Sequence, residues 1–245
     1  MKQSIFTVKS NKPLTETVYK MELVGDVSEI TSSGQFVNIQ LDGLYLRRPI
    51  SVCDCENGVL TIIYKVVGKG TEQMSGMAEG ERLDVLTGLG NGYDTSLSGD
   101  KVLLLGGGVG VPPLYKLAKN LLKEGKEVTV VLGFNTKSEI FYEEEFKSLG
   151  ATVKVATADG SYGIKGFVTD AIKDVNYTYF YTCGPEPMLK AVYKATNTSG
   201  QFSFEERMGC GFGACMGCSC KTVTGYKRIC KDGPVLKKEE ILWED

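Results

Sequence analysis

Five of the eight cysteines fall between Cys210 and Cys230, and this clustering limits what the chain can fold into more than any other feature. The segment reads Gly209-Cys210-Gly211-Phe212-Gly213-Ala214-Cys215-Met216-Gly217-Cys218-Ser219-Cys220, with Cys230 further on. Cys210, Cys215, Cys218 and Cys230 give C-x4-C-x2-C followed by a distant fourth thiol, a spacing that suits a [2Fe–2S] cluster. Three thiolates from one tight loop must wrap an inorganic core. Gly211, Gly213, Ala214 and Gly217 leave room for that, and small residues let backbone N–H groups point at the sulfurs and stabilise their negative charge. Two alternatives stay open. A zinc ribbon usually carries two C-x2-C pairs, and this segment has one; a structural disulfide is the other. Cys220 is left over as a spare thiol, since a C-x-C step past Cys218 directs it away from the same iron.

The rest of the composition removes function classes. There is no histidine, so Ser-His and Cys-His catalysis, histidine zinc sites and a histidine general base are all excluded. A net charge of −2 gives no reason to expect a nucleic-acid partner. The first residues, MKQSIFTVKSNKPL, lack a signal-peptide core. The longest mainly apolar stretch, Val102 to Tyr115, is too short and too rich in Gly and Pro to span a bilayer. The expectation is a cytoplasmic protein without a membrane partner.

Three domains are expected, at 1–97, 98–200 and 201–245. In the first, β-branched or alternating runs at Ile5–Val8, Thr17–Leu23, Phe36–Leu41, Leu60–Val67 and Arg82–Leu86 are separated by turn clusters such as Glu56-Asn57-Gly58. No long 3.6-residue period interrupts them. An antiparallel β-barrel follows, because closure removes exposed edges. From Lys101 the texture alternates between apolar strands (Val102–Leu105, Val128–Leu132, Thr152–Ala156, Tyr177–Thr182) and helices (from Pro112-Pro113, then Phe141–Leu149, Phe167–Ile172 and Pro185–Ala195). That alternation predicts an α/β doubly wound domain with strands buried on both faces. The third segment is too small for a core of its own and depends on its metal to fold.

Two further segments carry chemistry. Arg47-Arg48-Pro49-Ile50-Ser51 starts a strand of the barrel. An Arg fork can grip a diphosphate bidentately and a nearby Ser hydroxyl can complete the contact. Ile63-Tyr64-Lys65 and the Gly70-Thr71 turn follow, offering a ring that can pack against a ring, and N–H and hydroxyl groups for phosphate or ribose. Gly106-Gly107-Gly108-Val109-Gly110-Val111-Pro112 links a strand to a helix, where glycines allow close approach to a pyrophosphate. The turn departs from G-x-G-x-x-G at its third glycine. No Asp or Glu ends the second strand; Gly133-Phe134-Asn135 stands there, and no Arg, which favours NAD over NADP. Thr182-Cys183-Gly184-Pro185 lies at the carboxyl end of a later strand, where doubly wound sheets bind ligands.

The order RRPIS, GGGVGVPP, TCGPEPM and cysteine cluster resembles the ferredoxin–NADP reductase superfamily with a C-terminal [2Fe–2S] domain. Within it, the chain is similar to the electron-transfer subunits of dihydroorotate dehydrogenase B. Glu205-Glu206-Arg207-Met208 before the cluster and Cys230-Lys231-Asp232-Gly233-Pro234-Val235 after it carry this most specifically. The resemblance implies an FAD site at Arg48, Pro49, Ile50 and Ser51, lined by Ile63, Tyr64 and Lys65 and closed by Gly70 and Thr71. It implies NAD at Gly107, Gly108, Gly110, Cys183 and Gly184, and a cluster on Cys210, Cys215, Cys218 and Cys230. Ile50 stands where the superfamily often has an aromatic residue, so a stacking contact is lost. The implied activity is electron transfer between NAD and an FMN-containing catalytic subunit that oxidises dihydroorotate to orotate in pyrimidine biosynthesis, the two forming a heterotetramer. The small subunit of an NADH/ferredoxin reductase or a hydrogenase diaphorase is a rival with the same layout. A zinc-stapled binding protein is a rival of another class.

Overall fold

The computed structural model describes residues 1–243. Six antiparallel strands close the N-terminal barrel: β1 (Lys2–Pro13), β2 (Val18–Val24), β3 (Phe36–Ile39), β4 (Arg48–Glu56), β5 (Val59–Lys65) and β6 (Arg82–Leu89), in the order β1-β2-β5-β4-β3-β6. The alternation that predicts these strands also fills the barrel. Phe6, Met21, Leu23, Val37, Ile39, Leu60, Ile62 and Val85 point inward and are buried. Each such side chain is worth about 1.5–3 kcal/mol relative to exposure. A short helix missing from the sequence reading, α1 (Lys69–Ser75), caps one end of the barrel through Met74. Its seven residues are too few for a visible helical period.

The second unit is a sheet in the order β10-β9-β8-β7-β11-β12-β15. Its strands are β7 (Lys101–Gly107), β8 (Glu127–Phe134), β9 (Thr152–Thr157), β10 (Ile164–Lys165), β11 (Tyr179–Cys183), β12 (Gly200–Ser203) and β15 (Val235–Lys237). The first six pair in parallel and β15 adds antiparallel to β12. Helices α2 (Pro113–Lys123), α3 (Glu143–Ser148), α4 (Val168–Ala171) and α5 (Glu186–Ala195) join or flank the strands. On α2, the two prolines sit at the helix start, where no donor is lost, and Leu114, Leu117, Ala118 and Leu121 form one fully buried stripe.

The C-terminal segment is not detached from this sheet. β12 crosses the boundary expected between 200 and 201, and β15 returns to pair with it. Among the described residues, only the hairpin β13 (Ser219–Thr222) and β14 (Gly225–Arg228) forms a sheet apart. Asn91, just past the barrel, ties the returning chain down: its Nδ2 donates to the Val235 carbonyl at 2.8 Å, and Val235 N donates to its Oδ1 at 2.9 Å.

The barrel is also fastened to the α/β unit. Lys119 of α2 pairs with Asp54 and Glu56 of β4, each at 2.7 Å. The Tyr93 hydroxyl donates to the Thr182 carbonyl at 3.4 Å, and its ring meets Tyr181 edge-on. These contacts seat the barrel beside the carboxyl ends of β7 and β11.

Candidate functional site

Arg47 and Arg48 are neighbours in sequence with different partners. Arg47 is held by the barrel: its Nη1 lies 2.9 Å from Asp84 Oδ1 and also donates to the Asn38 and Asp84 carbonyls. Arg48 makes no ion pair among the described residues; its Nη1 donates to the Leu46 carbonyl. Its guanidinium lies over Gly70, where a β-carbon would stand 2.2 Å from Nε. A guanidinium without a carboxylate partner, beside the first turn of α1, is a fit for an anionic diphosphate, because both present donors.

Several neighbouring residues sit differently from the expectation. Gly70 and Thr71 are not in a simple turn but in the first turn of α1, and the Thr71 hydroxyl accepts from Val67 N (2.9 Å) and Gly68 N (3.3 Å). The Tyr64 ring is not offered to a ligand. It is buried in the barrel, stacks on Tyr19 and donates from its hydroxyl to Asn11 Oδ1 at 3.0 Å. Burial pushes its phenol well above the usual range. Ile50 packs against the barrel core, paired across from Val37. Ile63 turns the other way, into the apolar cluster shared with Val102 and Leu114. Pro49 and Ser51 stand opposite Asn38 and Phe36, and Lys65 is exposed.

The Gly106–Pro112 turn meets the end of β11. A β-carbon on Gly110 would lie 2.3 Å from the Cys183 carbonyl oxygen, and one on Gly107 would lie 2.4 Å from Met188 Sδ. Those two glycines, expected to admit a pyrophosphate, are needed first for packing against Cys183-Gly184-Pro185. Gly108 alone combines a left-handed φ of 52° with open space. Gly184 lies beneath Met188 in turn. Burial pushes the Cys183 thiol up to about 12, so it is a neutral, small side chain at physiological pH. Just past β8, Glu139 bends back to accept from Asn135 N (3.0 Å) and Nδ2 (2.9 Å). Only the Asn-to-Glu spacing of four could have signalled it.

In the cluster segment the four expected thiols come together as two pairs. Ala214 N (3.2 Å) and Cys215 N (3.5 Å) donate to Cys210 Sγ, with Cys215 beside it. Cys230 N donates to Cys218 Sγ at 3.4 Å, and both thiols are buried. Burial pulls the Cys210 thiol upward, but backbone donors from Phe212, Cys215 and Ala214 outweigh it and bring it down to about 6. Cys230 is pushed up to about 12, by burial first and by the adjacent Cys218 next. Among the described residues no three Cys, Asp or Glu side chains converge as a single-ion site. Four thiols gathered in this way fit the donor set that a two-iron cluster would take. Gly211 and Gly213 have left-handed φ values of 77° and 92°, which fold the loop around the sulfurs. Cys220 stands apart on β13. It lines a cavity of about 310 Å³ with Gly184, Phe204, Glu206 and Trp243, and burial raises its thiol.

The cluster segment docks on the outer face of β3. Phe36 shares an apolar cluster with Cys218, Ile229 and Cys230, and the Asn38 side chain donates to the Cys210 carbonyl at 3.4 Å. The cysteine loop and the Arg48–Ser51 strand therefore flank a single strand.

Comparison with known proteins agrees with this layout. The iron–sulfur cluster binding domain of dihydroorotate dehydrogenase B matches residues 205–242, and the oxidoreductase NAD-binding domain matches residues 104–194. The dihydroorotate dehydrogenase B (NAD(+)) electron transfer subunit of Fusobacterium nucleatum subsp. nucleatum is 46% identical over 98% of this chain and 99% of its own. The chain belongs to the dihydroorotate dehydrogenase B electron-transfer subunit family. The corresponding subunit of Bacillus pumilus is 47% identical over 98% of both chains. The solved structure of an NADH-dependent reduced ferredoxin–NADP oxidoreductase, studied for flavin-based electron bifurcation, is also similar. It has a TM-score of 0.87 and 32% identity, over 97% of this chain and 90% of that one. The three-part architecture and the family resemblance expected from the sequence are thus borne out. Among the described residues, no helix is long and apolar enough to cross a membrane.

Proposed function

We propose that this chain carries electrons between NAD and a catalytic partner that oxidises dihydroorotate to orotate, and that the partner is an FMN-containing subunit joined to it in a cytoplasmic heterotetramer. When bound, FAD supplies hydride exchange with the nicotinamide and a [2Fe–2S] cluster supplies one-electron transfer. The chain's own residues do the positioning. Arg48, with Ser51 and the first turn of α1 at Gly70 and Thr71, clamps the FAD diphosphate. Pro49 and Ile50 continue that strand, and Ile63, Tyr64 and Lys65 on β5 form its neighbour. Gly107, Gly108, Gly110, Cys183 and Gly184 form the nucleotide crevice. Cys210, Cys215, Cys218 and Cys230 would hold the cluster.

The observation that carries this reading is the seam at β3. Asn38 pairs with Pro49 of the flavin strand on one side and touches Cys210 on the other. Directly opposed strand residues lie about 5 Å apart, so both cofactor sites border one strand. The exposed Phe212 and Met216 on the cysteine loop support docking of the partner there. The three domains, 1–97, 98–200 and 201–245, would then divide the work as FAD, NAD and cluster units.

The ferredoxin-reductase reading is favoured by one comparison, the 32% identical oxidoreductase. The curated relatives and the cluster-domain match favour dihydroorotate. Reconstitution decides between them. Mixed with a purified FMN-containing dihydroorotate-oxidising subunit, the chain should form a stable complex that reduces NAD with dihydroorotate. Failure to couple, with NADH-driven reduction of ferredoxin instead, would transfer the assignment to the rival.

A further inference from the structure

Asn38 is an odd residue to bury. It lies in the middle of β3, is 1% exposed, and its Oδ1 has no hydrogen-bond partner among the described residues. An apolar residue there would avoid an unmade hydrogen bond, so packing alone does not explain an amide. Its nitrogen does have a task. Nδ2 donates to the Cys210 carbonyl and packs on the Gly211 α-carbon, where a β-carbon would stand only 2.3 Å away. Gly211 holds a left-handed φ of 77°, so this contact fixes the bend that opens the cysteine loop. The backbone of Asn38 is itself locked: it pairs with Pro49 and Leu86, and its carbonyl accepts from Arg47 Nη1 at 3.3 Å.

We propose that Asn38 is a positioning residue for electron transfer, which pins the Cys210 end of the cluster loop to the flavin strand and so sets the reduction potential of the cluster. The inference rests on the reading above, in which Cys210 is a ligand and Arg48–Ser51 hold FAD. The physical link is the set of backbone donors to sulfur. Ala214 N and Cys215 N reach Cys210 Sγ only while the loop keeps its bend. Donors to a cluster sulfur favour the reduced, more negative state and raise the potential. Releasing the Cys210–Gly211 peptide from Asn38 weakens these donors and lowers it.

The test uses the full-length protein with both cofactors, comparing wild type with Asn38→Leu and Asn38→Ser. Leu keeps the branched shape and removes the donor; Ser keeps a polar group and removes the reach. Redox titration followed by EPR of the reduced cluster should show reduction about tenfold less favourable in both variants, a shift of about 59 mV to lower potential for one electron. FAD content and the flavin potential should stay at wild-type values. Thermal stability of Asn38→Leu should equal or exceed wild type. If Asn38→Leu does not fold, the Asn38→Ser titration decides alone. A cluster potential equal to wild type, or an equal shift at both cofactors, would overturn the proposal. A wild-type protein without iron and acid-labile sulfide would instead refute the cluster reading beneath it.

Discussion

Two glycine-rich segments, Gly106–Gly110 and Gly209–Gly217, look alike in sequence and do opposite things in the fold. The first is packed from both sides. Gly107 and Gly110 lie within contact of Met188 and the Cys183 carbonyl, and two parallel strands hold the turn whether or not a ligand is bound. The second surrounds thiols. Its nearest neighbours to Gly209 and Gly217 are the Cys215 sulfur, at 3.2 and 3.5 Å from an added β-carbon, and left-handed glycines bend the chain around the site. One turn is held by the sheet; the other joins the core through Cys218, Ile229 and Cys230 packed against Phe36. Glycine content alone does not distinguish these cases, since one needs absence of a side chain for packing and the other for backbone conformation.

The sharpest way to break this contrast is to remove the metal. Cys218→Ser or Cys230→Ser should abolish the EPR signal and leave less than a tenth of the wild-type iron. Both thiols are buried, so loss of ligation should also loosen β13 and β14, measured as faster amide exchange there and not in β7 or β11. Protection unchanged in the hairpin would mean that the segment folds without its cluster.

Next in size is the flavin clamp. Arg48→Ala should weaken FAD binding roughly 10- to 100-fold, since a charge-assisted hydrogen bond is worth about 1.5–3 kcal/mol. Arg47→Ala breaks the pair with Asp84 and should lower Tm while FAD affinity stays within about twofold of wild type. Fluorescence titration of the apoprotein with FAD reads both, and equal losses in the two variants would refute the division of roles.

Within the glycine turn, Gly110→Ala should cost more than Gly108→Ala. The first drives a methyl into the Cys183 backbone, an overpacking cost of about 1–3 kcal/mol. The second meets open space and carries only left-handed strain, about 1–2 kcal/mol at most. KM for NADH should rise for Gly110→Ala, with iron content unchanged in both. The smallest effect should come from Cys220→Ser, which is expected to retain iron and the EPR signal, because this thiol lines a separate cavity.

Much of this was legible in the sequence because it depends on local pattern. The cysteine spacing points to four candidate thiols without reference to the fold, and the alternation of β1 to β6 followed by the strand–helix rhythm from Lys101 marks both large units. Apolar periodicity is a property of neighbouring residues, so it survives in a one-dimensional reading. Short elements did not: α1 has seven residues, below the length at which a helical period shows. Side-chain direction does not either: Tyr64, expected to line the flavin, points into the barrel.

Local pattern along the chain specifies the parts: the barrel, the doubly wound sheet, the cysteine loop, and through them the family. Tertiary structure decided how the parts meet. That the thiols form two pairs, that Glu139 returns to the end of β8, that Arg47 is tied to Asp84 while Arg48 is left over Gly70, and that Asn38 joins the cluster loop to the flavin strand all rest on contacts between residues distant in the chain or on directions set by packing. Asn38 and Cys210 are separated by 172 positions. No local propensity encodes such a contact; it appears only when the burial of Phe36 against Cys218 and Cys230 brings the C-terminal segment onto β3.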